Sequence, residues 1–141
     1  MVKRLSIVSS ARTFVGTPYH HQGRLKSIGV DCLGLIIEVA KEVGILLVDK
    51  PEFLAYKRRP PRGQQMLQHL DSQCNKVNDR NIGDIGVFWV NPVSKRPQHL
   101  ALISDVGLIH TNAMLEVVVE QPFDEYWITR QLAFYEMPGV I

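Results

Sequence analysis

The chain is predicted to adopt an α+β fold, with N-terminal helices packed on a C-terminal antiparallel sheet of about five strands. Apolar residues recur at helical spacing through the first half, and after Asn81 they alternate or form short runs. The segments between those runs are too short to hold the crossover helices of a parallel sheet. The 141 residues are expected to form a single domain, 1–141, because that length supports one core without disulfide or metal staples.

Ile7, Ala11, Phe14 and Val15 place a first helix over about Lys3 to Val15, and Gly16 with Pro18 supplies its stop. Residues 16–30 read as loop. In DCLGLIIEVAKEVG, Asp31 is the N-cap before Leu33, Ile36, Ile37, Ala40 and Val43, and Gly44 is the terminator. A Pro- and Arg-rich stretch, Tyr56 to Arg62, separates this helix from a third helical pattern carrying Met66, Leu67, Leu70 and Cys74. Five strands follow: IGVFWV from Ile85, HLALIS from His99, LIHT from Leu108, EVVVE from Glu116 and QLAFYE from Gln131. Asn91-Pro92, Asp105, Gly107, Pro122 and Pro138 bound them.

Sixteen Lys+Arg against 14 Asp+Glu give a net charge of +2, which excludes a strongly basic nucleic-acid binder. No apolar run approaches the roughly 20 residues of a membrane-spanning helix, so no membrane insertion is expected. The basic opening MVKR is followed by an apolar stretch that Arg12 interrupts, and no signal peptide is read there. Cys32 and Cys74 are too few for a secreted disulfide framework. No C-x-x-C or H-x-x-x-H pair occurs, so neither a metal nor a cofactor is expected.

Cys32 lies in the first turn of the second helix, where free backbone N–H groups and the positive dipole end favour a thiolate. Position alone leaves two readings, an activated nucleophile or a small apolar core residue; a nearby histidine base would separate them. His99 opens one strand and His110 lies eleven positions on in the next, with SDVG between them. If the hairpin loop holds an even number of residues, His110 pairs with His99 or Ala101 and both imidazoles share a face. An odd loop or a bulge separates them. The even geometry suits a cysteine nucleophile with His99 as general base and His110 fixing its tautomer. The bland alternative makes each histidine an ordinary hydrogen-bonded or partly exposed strand residue. Trp89 and Trp127 pack in the sheet or line a groove, Cys74 is expected in the core, and His69 carries no signal.

GTPYHHQG, VDCLGL opening a helix, GDIGVFWV, HLALI and LIHTN together resemble the NlpC/P60 cysteine peptidases that act on bacterial peptidoglycan. The PYHHQ and DCLGL wording is similar to the short members encoded with the tails of bacteriophages and gene-transfer particles. The resemblance implies a papain-like fold with Cys32 as nucleophile, His99 as base and His110 as orienting residue. Tyr19 matches a tyrosine beside the nucleophile that assists the oxyanion or the substrate. Asp31 matches an acidic residue that caps the helix, meets a substrate ammonium group, or both. The implied reaction is hydrolysis of a stem-peptide amide, typically between D-γ-glutamyl and a diamino acid. The implied setting is a phage or phage-like tail that carries the enzyme from the cytoplasm to the cell wall, with tail-tip or hub proteins as partners. A structural tail component with little hydrolysis, or another thiol amidase or acyltransferase on the same fold, are the alternatives. Leu33-Gly34 stands where the common pattern has Ser-Gly, and His20, His21 and Gln22 precede Gly23, which alters one wall of the groove. Lys57, Arg58, Arg59 and Arg62 read as a solvated loop, with anionic wall polymer or a protein as the other possible contact.

Overall fold

The computed structural model describes residues 1–48 and 64–141. The expected basic stretch at residues 57–62 lies outside the described residues. Helix α1 (Arg4–Arg12) buries Ile7, Val8 and Ala11. It stops three residues before the expected end, and the following turn carries Phe14 into the core while Val15 faces solvent. The stretch expected as loop contains a short hairpin, β1 (Arg24–Leu25) and β2 (Gly29–Val30). Helix α2 (Cys32–Glu42) follows, buried along nearly its whole length. Asp31 caps it as predicted, accepting from the Gly34 N–H at 2.8 Å. Gly44, just past the end, takes a positive φ of 83°.

Helix α3 (Gln64–Gln73) seats Met66 and Leu70 in the core, with Cys74 directly after it. The sheet comprises β3 (Asn75–Val77), β4 (Ile85–Phe88), β5 (His99–Ile103), β6 (Gly107–His110), β7 (Val119–Pro122) and β8 (Gln131–Glu136). Its order is β3-β8-β4-β5-β6-β7, with every described pair antiparallel. This six-stranded sheet has one strand more than expected. Asn75–Val77 is a short, mostly exposed edge strand with no apolar alternation to announce it. The strand expected from Glu116 forms three residues later, because residues 116–118 pair instead with the chain after α1. Tyr19 N–H donates to Glu116, Val118 N–H to Thr17, and Gly16 N–H to Val118. A further short helix, α4 (Glu125–Arg130), capped by Asp124, joins β7 to β8.

Both faces of the sheet are covered. Leu100 and Leu102 of β5 join Ile7, Ala11, Leu35, Ile36 and Val39 in the core beneath α1 and α2. Ala101 and Ile103 alternate to the other face, with Phe88, Leu108, Phe134 and Trp127 of α4. This explains why β5 reads as a continuous apolar run after His99. Among the described residues no helix is long and apolar enough to cross a membrane.

Candidate active site

The β5–β6 register pairs Leu102 with Ile109 and Ile103 with Leu108. Ser104 then stands opposite Gly107 across a two-residue turn of Asp105 and Val106, closed by the Ser104 N–H donating to Gly107 O and by the Gly107 N–H donating to Ser104 Oγ. The loop is even, and continuing the register by one step sets His110 opposite Ala101. His99 and His110 therefore share a face, and their rings meet edge to face with Nε2 of His99 2.7 Å from Nδ1 of His110. The Nε2 of His110 lies 2.9 Å from the amide oxygen of Gln121. Trp127 stacks on His99 with centroids 5.1 Å apart and meets His110 edge-on at 5.0 Å. Both imidazoles are buried, and desolvation holds each below the ordinary histidine value. His99 lies well below, with the neighbouring His110 adding to the effect. For His110, the Gln121 bond opposes the lowering.

Cys32, 3% exposed, enters at the head of α2. Backbone groups of Leu100 and Leu33 hydrogen-bond its sulfur, so α2 delivers the thiol to β5 one residue from His99. The helix terminus does not make a ready thiolate here. Burial pushes the Cys32 thiol up to about 12, and the adjacent Asp31 carboxylate pushes in the same direction. Those two exceed the opposing effects of the backbone bonds and of Arg24. In the resting protein the thiol and both imidazoles are neutral.

Tyr19 is half-buried and paired through its backbone with Val30 and Glu116, which brings it beside Asp31 and Cys32. Burial raises its phenol first, then the charges of Asp31 and Cys32. Asp31 is fully buried and heavily engaged. One carboxylate oxygen takes the Gly34 N–H and the Arg24 guanidinium at 3.1 Å, and the other takes the Gln22 N–H at 3.0 Å. Of its expected roles, the cap is made, and Arg24 already supplies the cation that a substrate ammonium would bring. Gly34 is required where it stands: a Cβ would lie 2.0 Å from the Gly23 carbonyl oxygen, so the hairpin turn closes directly onto the first turn of α2.

Two participants escaped the sequence reading. Gln121 lay one residue past the expected strand; extending the alternation of Val117 and Val119 by one step places it on the face of His110. Trp127, read as core or rim, is packing for the histidine pair itself. Cys74 behaves as expected of a core residue, and burial raises its thiol to about 11. Among the described residues no group of three or more His, Cys, Asp or Glu is placed to hold a metal ion.

The NlpC/P60 family model matches residues 16–136, the span that contains Tyr19, Cys32, His99 and His110. The chain belongs to the NlpC/P60 family. Solved structures agree in fold. The NlpC/p60 domain of the peptidoglycan hydrolase SagA is 23% identical with a TM-score of 0.62, covering 95% of this chain and 98% of that one. A protein described as similar to lipoprotein, NLP/P60 family, from Staphylococcus aureus subsp. aureus Mu50 is 18% identical with a TM-score of 0.65. An NlpC/P60 family protein from Bacillus cereus ATCC 10987 is 19% identical with a TM-score of 0.67. Each alignment covers 95% of this chain, which spans about two fifths of the latter two proteins, 41% and 40%. No curated protein is significantly similar to the chain. The six-stranded antiparallel sheet against α1 and α2 is the NlpC/P60 papain-like fold.

Proposed function

We propose that this NlpC/P60 domain is a cysteine endopeptidase that hydrolyses an amide in the peptidoglycan stem peptide, between D-γ-glutamyl and a diamino acid. The observation that carries the reading is the buried 2.7 Å contact between His99 and His110, on the strand whose next residue touches the Cys32 sulfur. Cys32 is the nucleophile, His99 the general base and His110 the group that orients it. Because thiol and imidazole are both neutral at rest, proton transfer from Cys32 to His99 accompanies attack on the carbonyl. The thioester forms as His99 returns the proton to the leaving amine, and water then releases the acid. Tyr19 and the Cys32 backbone N–H stabilise the oxyanion. Asp31 holds the hairpin and the helix cap. The substrate class is supported by family membership and by the fold shared with a domain of a peptidoglycan hydrolase.

The PYHHQ and DCLGL wording supports a tail-borne enzyme that opens the wall during genome delivery, with tail-tip or hub proteins as partners. Purified protein incubated with sacculi is expected to release stem-peptide fragments, identified by mass spectrometry, and Cys32→Ala to release none while keeping its circular dichroism. A wild type that leaves sacculi of every diamino acid type uncut, yet co-assembles with tail proteins, would replace this reading with a structural one.

A further inference from the structure

The hydrogen-bond chain on this face of the sheet runs past His110. His99 Nε2 meets His110 Nδ1 at 2.7 Å, and His110 Nε2 meets the Gln121 amide oxygen at 2.9 Å. An amide oxygen only accepts, so the proton of that last bond sits on His110 Nε2. A neutral imidazole carries one N–H, which leaves His110 Nδ1 as a lone pair. The proton in the 2.7 Å contact must then come from His99 Nε2, and His99 is left with a bare Nδ1. A reversed amide would run the whole chain the other way and put a proton on His99 Nδ1, where a base needs none.

We infer that Gln121 is a positioning residue, whose amide oxygen sets the tautomers of His110 and His99 so that His99 offers an unprotonated Nδ1. The catalytic consequence rests on the peptidase reading above; the tautomer assignment does not. Three features make Gln121 the natural determinant. It projects from the same face as His110, because the β6–β7 register pairs His110 with Val119 and Leu108 with Gln121. Strand β7 is held tight against β6, since a Cβ on Gly107 would lie 2.2 Å from the Gln121 carbonyl oxygen. Its outward neighbour Glu120 is clamped by two nitrogens of Arg12 at 2.9 to 3.2 Å. Water is a poor substitute within the pair: His110 is 0% and His99 2% exposed, and Trp127 covers both rings.

The test is a long-range proton–nitrogen correlation spectrum of the imidazoles of the full chain at neutral pH. The expected wild-type pattern is N–H at Nε2 and a bare Nδ1 in both histidines. Gln121→Met, which keeps the length and removes the acceptor, is expected to introduce Nδ1–H species at this pair. It should also lower kcat by about 10- to 100-fold with KM within about twofold, the range for losing part of an acid–base assembly. Gln121→Glu, acceptor only and of the same length, is expected to restore both spectrum and kcat. A wild type with Nδ1–H on His99, or a Gln121→Met protein with an unchanged Nε2–H pattern, would overturn the assignment. If Gln121→Met does not fold, Gln121→Asn, short by one methylene, is read in the same way. A protein that cuts no wall substrate yet shows the Gln121-dependent pattern would remove the peptidase reading and leave the assignment standing.

Discussion

Cys32 sits where two effects oppose each other. The first turn of α2 and the Leu100 backbone favour a thiolate, while complete burial beside a buried carboxylate favours the thiol, and burial prevails at about 12. In the native protein, iodoacetamide labelling of Cys32 at pH 7–8 is therefore expected to be slow and to keep accelerating well above pH 9. In urea, both Cys32 and Cys74 should titrate near the ordinary thiol value of about 8.5. Rapid native labelling of Cys32 at neutral pH would mean that the resting site already holds a thiolate. Desolvation likewise keeps His99 neutral well below 6.5. The acid limb of kcat/KM should accordingly fall below pH 6.5, and a limb at or above that value would mean a solvated base. The residue types of this site were legible from the sequence, and so was the condition for His99 and His110 to meet, an even loop, which the two-residue turn at Asp105-Val106 fulfils. The balance of burial over dipole at Cys32 was not, because it depends on what covers the sulfur.

At the level of elements, the junction of the β1–β2 hairpin with α2 holds the thiol in place. Replacing a helical glycine by alanine ordinarily stabilises by up to about 1 kcal/mol. Gly34→Ala is expected to reverse that sign and destabilise by about 2 kcal/mol, because the new methyl meets the Gly23 carbonyl and the hairpin must lift. Urea unfolding reads this directly, and a stabilised Gly34→Ala would show that the hairpin gives way freely. Asp31→Ala removes the cap and the partner of Arg24 together and should cost roughly 2–3 kcal/mol, whereas Asp31→Asn keeps the capping oxygen and should cost less. Equal losses would assign the effect to the Arg24 charge pair alone. Helices α1, α2 and α3 and four of the strands were legible because each carries its own period, whereas the six-residue α4 is too short to show one. The edge strand at Asn75, the hairpin after Tyr19 and the three-residue shift of β7 were not, because those segments are ordered by their pairing partners.

For the whole molecule, two buried imidazoles make stability depend on pH with a definite sign. Unfolded histidines take up protons as pH falls through about 6.5, while folded His99 and His110 resist until lower pH. The unfolded state then binds more protons, so their contribution is complete above pH 6.5 and is lost as pH falls toward the folded values. The loss is at most about 1.4 kcal/mol per pH unit for each group. The raised thiols act at the other end: stability is complete below about pH 8.5 and is lost as pH rises toward about 11 for Cys74 and about 12 for Cys32. Thermal melts should therefore show a plateau from about pH 6.5 to 8.5, and a His99→Gln, His110→Gln double variant should flatten the acid side. An unchanged acid slope in that variant would place the acid sensitivity elsewhere, the Asp105 and Glu120 carboxyls that Arg12 holds below their ordinary values being the next candidates.

The sequence by itself determined the α+β class and the Asp31 cap that starts α2, and it reduced the meeting of the two histidines to whether the loop between them is even. These follow from local periods, caps and loop lengths that every segment carries within a few residues. Only the tertiary structure decided that Asp31 is neutralised by Arg24, that Cys32 rests as a thiol, and that Gln121 and Trp127 complete the histidine pair. Each of those depends on segments distant in the chain meeting in a dry interior, where desolvation and hydrogen-bond partners, rather than residue identity, set charge and tautomer.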